Sequence, residues 1–172
     1  IDAQRSRACW ERVLAALPGD PEALFFLGDI LREDGDYLAA IATFEQALAA
    51  SPDHPALLNN LGLAREKLGD LAAAEDTFKR VLEVSPDDLN ALANLAQNCY
   101  QQRRYKDAIP LFERLVRRMP GAPAAIWANF GSAMRGVGNF AAAEPLLARA
   151  TELAPDRPEP WRDLGACRIA LY

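Results

Sequence analysis

The chain has 172 residues, 51% of them hydrophobic, and a formal net charge of −5. That apolar share is enough to bury a core, while the acidic balance argues against a dedicated nucleic-acid binder, whose domains are basic with clustered Lys and Arg. There is no run of about 18 apolar residues, so no membrane insertion is expected.

The first periodic stretch covers residues 3–17 and carries Ser6, Trp10, Val13, Leu14 and Leu17 at helical spacing before Pro18 stops it. Prolines then return at Pro52, Pro86, Pro120 and Pro155, in steps of 34, 34, 34 and 35 residues from Pro18. A fixed period of this size marks a repeat architecture. The first full unit runs from Pro21 to His54 and the second from Pro55 to Asp88. In the second, Leu58, Leu61, Gly62 and Arg65 follow i, i+3, i+4, i+7 spacing and predict one helix. Gly69-Asp70 ends it, because Gly favours the C-cap and Asp the next N-cap. Ala74, Phe78, Val81 and Leu82 then line a second helix, which Ser85-Pro86-Asp87-Asp88 closes.

The same columns recur down the chain. Small residues stand in the first helix at Gly28, Gly62, Ala96, Gly131 and Gly165, and in the second at Ser6, Ala40, Ala74, Ala108 and Ala143. Close approach of two helices needs small side chains at the contact. Large residues fill the space beside them: Trp10, Phe44, Phe78, Phe112 and Leu147 in the second helix, and Leu24, Leu58, Leu92, Trp127 and Trp161 in the first. Tyr37, Leu71, Tyr105 and Phe140 sit at the inter-helix turns. These aromatics read as packing residues.

Three departures stand out. An extra residue lies in Pro120-Gly121-Ala122-Pro123, Arg103-Arg104 replaces the Gly-Asp turn of the third unit, and Pro110 and Pro145 sit early in second helices, where each removes a backbone donor.

Read in full units, Trp127, Phe130, Gly131, Phe140, Ala143, Leu147, Ala150 and Pro155 resemble the signature of the tetratricopeptide repeat family. The resemblance covers the whole chain. It implies an all-α, right-handed superhelical solenoid of about ten helices, a single array over residues 1–172. Residues 1–20 form a second-helix half-repeat, 21–54, 55–88, 89–123 and 124–157 full repeats, and 158–172 a first-helix half-repeat. It further implies that the first helices line a concave groove for an extended peptide or partner protein.

Three residues in that groove are the same amide, Asn60, Asn94 and Asn129, spaced 34 and 35 residues apart. Each Asn has one acceptor and two donors, so a row can bracket the C=O and N–H groups of an extended peptide. In related scaffolds, including the repeat region of O-linked N-acetylglucosamine transferases, such a ladder contacts peptide. The other reading is that Asn is simply frequent in this column. Asn59, Leu63, Asn90, Gln97, Tyr100 and Gln101 are expected to share the groove, with Phe25, Phe26, Asp29 and Arg32 upstream and Ser132, Arg135, Arg162 and Asp163 downstream. Phe25 and Phe26 diverge by about 100° around the helix, so one is expected to be exposed as an apolar anchor unless the preceding helix covers it. A chaperone-type carboxylate clamp needs Lys or Arg on successive first helices, and its columns here hold Phe25, Asn59 and Ala93, or Phe26, Asn60 and Asn94.

Charge is polarised. Residues 1–54 hold 4 Lys/Arg against 10 Asp/Glu, whereas residues 89–123 hold 6 against 2. The basic stretch Arg103, Arg104, Lys106, Arg114, Arg117 and Arg118 reads as a solvated face, or as a surface for an acidic partner or another copy's acidic end. No enzyme is expected. The one histidine, His54, falls in a loop, and no nucleophile-and-base constellation, Gly-rich phosphate loop or cofactor motif is present. Catalysis, if any, is expected in a further domain such as a glycosyltransferase or sulfotransferase.

Cys9, Cys99 and Cys167 are too far apart along a repeat array to pair, which with the lack of a targeting pattern favours a reducing, cytoplasmic setting. The start at Ile1 suggests a fragment, from which an upstream targeting segment could have been lost. Solenoid ends need polar caps. Trp161, Leu164, Ile169, Leu171 and Tyr172 at one end and Trp10, Val13, Leu14 and Leu17 at the other do not supply them, which is expected either of a piece cut from a longer protein or of ends that pair with another copy through a terminal helix.

Overall fold

In the computed structural model, which describes residues 2–172, ten α-helices follow one another without an intervening strand among the described residues. They are α1 (Asp2–Ala16), α2 (Pro21–Glu33), α3 (Tyr37–Ala50), α4 (Pro55–Leu68), α5 (Leu71–Val84), α6 (Leu89–Gln101), α7 (Tyr105–Arg118), α8 (Ala124–Gly136), α9 (Phe140–Leu153) and α10 (Pro158–Leu171). Even-numbered helices are the first helices of the repeats and odd-numbered ones the second. The chain divides into two compact units, one up to Ala91 and one from Leu92 to Tyr172.

Helix starts follow the expected chemistry. Asp20, Asp36, Asp70 and Asn139 each accept a hydrogen bond from the backbone N–H three residues on, at 2.8, 3.2, 3.0 and 3.2 Å. Pro21, Pro55 and Pro158 occupy the first turn, where a proline's missing N–H is no loss. His54, the loop histidine, caps α4: its Nδ1 accepts from the Leu57 N–H at 3.4 Å. Gly35, Gly69 and Gly138 take left-handed φ values of 86°, 91° and 81° where first helices end. In the third repeat Arg103 holds that position at φ 59°, and Arg104 begins α7 without a side-chain cap. Pro110 and Pro145 lie inside α7 and α9, both of which continue past them.

In the first unit, α2 packs on α3, α3 on α4 and α4 on α5. Phe44 and Phe78 are wholly buried. A Cβ built on Gly28 would stand 2.5 Å from the Phe44 ring, and one on Gly62 would stand 2.4 Å from the Phe78 ring. The small column is therefore a socket for the large one. Arg65 ties three helices together, donating to Thr77 Oγ1 on α5 at 2.7 Å and to Glu45 on α3 at 2.8 Å.

In the second unit, α7 packs on α8, α8 on α9 and α9 on α10. Gly131 faces Leu147, with a Cβ distance of 2.6 Å, and Gly136 lies against the Tyr105 ring. Phe112 stacks on Phe130 at 5.9 Å. Trp127 donates from its indole to the Ala122 carbonyl at 3.1 Å, bracing the turn that holds the extra residue. Asn98 is fully buried where the other repeats carry Ile30, Ala64 and Ala133, and its Oδ1 accepts from Gln102 at 2.6 Å.

Candidate functional site

The residues expected to share a groove stand on the first helices α2, α4, α6, α8 and α10, in two segments. In the first unit, Asn60 is half-buried on α4, and its side-chain amide donates across to Asp29 on α2 at 3.5 Å. Asp29 also holds Arg32 at 2.6 Å. Leu63 lies one turn past Asn60, half-buried. Asn59 does not join them. It is buried, with 7% exposure, and donates to Asp88 at 3.5 Å, the same carboxylate that caps the Ala91 N–H at 2.8 Å. Its amide therefore serves helix packing.

Phe25 and Phe26 divide as their angular separation requires. Phe25 packs against the apolar core, and Phe26 is 39% exposed. Phe26 is also stacked on Trp10 of α1 at 4.9 Å and meets Phe25 edge-on at 5.4 Å. The two rings line a cavity of about 470 Å³ with Glu22, Ser51, His54, Ala56 and Leu57, between the beginnings of α2 and α4.

In the second unit, Asn129 on α8 donates to Gln97 Oε1 on α6, and Ser132 on α8 donates to Asp163 on α10. Arg135 pairs with Asp163 at 3.1 Å. Asn94 is half-buried on α6 at the register of Asn60 and Asn129, and Asn90 is exposed. Tyr100 lies 5.7 Å from the Tyr105 ring. A cavity of about 280 Å³ lined by Ala125, Ala128, Asn129, Arg157 and Glu159 lies between the beginnings of α8 and α10. It is the register equivalent of the aromatic cavity in the first unit, with Phe25 and Phe26 replaced by Ala128 and Asn129.

The lateral pairs share one rule. A residue at the position of Asp29 in one first helix bonds a residue 31 or 32 positions later in the next: Asp29 with Asn60, Gln97 with Asn129, Ser132 with Asp163. These pairs and both cavities were not expected from the sequence. The shared spacing was present in the sequence as a signal for the pairs. The cavities depend on side-chain volumes from two helices and leave no motif.

Among the described residues, no group of three or more His, Cys, Asp or Glu is placed to hold a metal ion, and no helix is long and apolar enough to cross a membrane. Cys9 is exposed, while Cys99 and Cys167 are buried, and all three are free thiols. Burial pushes the Cys167 thiol above its ordinary pKa.

Comparison with known proteins places this geometry. One profile described as tetratricopeptide repeat matches residues 20–87 and a second matches residues 59–123. Among curated proteins, no sequence matches. Solved structures share the fold. MamA from Desulfovibrio magneticus RS-1, residue 41 to its end, is 23% identical with a TM-score of 0.82, covering 88% of this chain and 85% of that one. YrrB, described as a TPR protein with an unusual peptide-binding site, is 22% identical with a TM-score of 0.80, covering 94% of this chain and 82% of its own.

Proposed function

We infer that this chain, which belongs to the tetratricopeptide repeat family, is a non-catalytic interaction scaffold that binds an extended peptide along the outward face of its first helices. The observation that carries the reading is the recurrence of a half-buried asparagine at one register of α4, α6 and α8: Asn60, Asn94 and Asn129. Each amide has hydrogen-bonding capacity beyond one lateral bond, since Asn offers two donors and an acceptor with two lone pairs. Asn60 and Asn129 use one donor on a neighbouring helix and keep a carbonyl and a second N–H for a ligand. The aromatic cavity at Phe25 and Phe26 suits one apolar side chain of the same ligand. YrrB's peptide-binding site supports this class of ligand, and the face offers no arrangement of acid, base and nucleophile that chemistry would need.

The test is selection of peptides from a random display library on the wild-type chain, followed by affinity measurement on Asn60→Ala/Asn94→Ala/Asn129→Ala. Each lost hydrogen bond is worth about 0.5–1.5 kcal/mol, so the triple variant is expected to bind about 10-fold to 1,000-fold more weakly. Unchanged affinity would show that the row takes no part in binding.

A further inference from the structure

The two units are electrostatic opposites. Up to Ala91 the chain has 8 Lys/Arg against 17 Asp/Glu, and from Leu92 onward it has 11 against 7. The difference is concentrated where first helices turn into second helices. In the first repeat that turn carries Glu33, Asp34 and Asp36, all exposed. In the third repeat the corresponding turn carries Arg103, Arg104 and Lys106, also exposed, with Arg104 at the register of Asp36. These three cations, with Tyr105, Gly136 and Val137, line an open cavity of about 450 Å³. Its one acid, Asp107, is taken by Arg104 at 2.7 Å.

This turn gives up local stability to hold its charge. The position of Arg103 is filled by glycine in the other three turns, and a side chain held left-handed there is unfavourable by about 1–2 kcal/mol. Arg104 stands where Asp36, Asp70 and Asn139 cap their helices, and the bond they make is missing. The sequence thus reverses the sign of the turn at two local costs. A net charge of −5 disfavours a nucleic acid as the occupant, whereas the first unit of another copy has the complementary sign.

We propose that the Arg103–Lys106 turn of one copy docks on the acidic Glu33–Asp36 turn of a second copy. The contact is heterologous, with different surfaces on the two partners, so copies join head to tail.

Sedimentation velocity across a concentration series tests this. At low ionic strength the weight-average mass is expected to rise above the 18.8 kDa of one chain. It is expected to return to that value near 1 M salt, where the screening length falls to about 3 Å. Arg103→Glu/Lys106→Glu and Glu33→Lys/Asp34→Lys are each expected to stay monomeric alone, and an equal mixture of the two to associate, because the intact acidic turn of the first complements the intact basic turn of the second and the two reversed turns complement each other. This rescue distinguishes a lost contact from a lost fold. A wild type that stays monomeric at low salt overturns the proposal. So does association that salt leaves unchanged, which would place the contact on apolar ends such as Trp161 and Ile169. So does a mixture that fails to associate.

Discussion

Replacing Gly62 with alanine tests whether the small column is a steric socket. Alanine is the better helix former by about 1 kcal/mol, so propensity alone predicts stabilisation. The structure opposes this, because the new Cβ would meet the Phe78 ring at 2.4 and 2.8 Å, well inside the 3.5–4.0 Å at which carbons attract. Phe78 is wholly buried, and overpacking of this kind costs about 1–3 kcal/mol. The third repeat bounds the figure from above: Ala96 and Phe112 occupy these two registers and both are fully buried, so a helix pair can be spaced to hold an alanine. We expect a net loss of about 1 kcal/mol, or a fall in melting temperature of about 2–4 °C. Gly165→Ala is the internal control. It sits at the same register of α10 with nothing within 4 Å of its Cβ, so there the propensity gain of up to about 1 kcal/mol should appear undiminished. Urea denaturation followed by circular dichroism reads both. If Gly62→Ala stabilises as much as Gly165→Ala, the socket argument is wrong and the ring yields at no cost.

Further outcomes follow from the caps and the thiols. Arg103→Gly relieves the left-handed side chain at φ 59° and should raise stability by about 0.5–1 kcal/mol in thermal unfolding. Asp70→Ala removes the acceptor of the Ala73 N–H and should cost about 1 kcal/mol by the same measurement. With a maleimide at neutral pH, Cys9 should label in the folded protein, while Cys99 and Cys167 should label only after unfolding. Mass spectrometry of labelled peptides checks both outcomes.

Much of the fold was legible because each packing role recurs at a fixed interval. Gly28, Gly62 and Gly131 point to their partners Phe44, Phe78 and Leu147 by register alone. The Gly-Asp turns were equally readable, since left-handed φ and side-chain capping each select few residue types. The face was harder. Asn59 and Asn60 are adjacent amides, and which of them turns inward is settled by Asp88, 29 residues from Asn59, which gives the buried one its acceptor. That Phe25 and Phe26 diverge was readable, but that Phe26 is the outer ring, and that it stacks on Trp10, requires the geometry of α1. Asn98 escaped notice because a buried amide in an alanine column has no signal until Gln102 is seen beside it.

The lateral bonds of Asn60 and Asn129 also bear on selectivity. A surface side chain ordinarily loses about 0.5–1.5 kcal/mol of rotamer freedom when a ligand fixes it. These two amides are fixed by Asp29 and Gln97 as the chain folds, so that loss precedes any encounter. A rung held this way rotates less freely to follow an ill-matched partner. Under the proposed function, the face would therefore discriminate by backbone conformation: a segment already extended would satisfy the rungs as they stand, and a helical or turned segment of the same composition would not.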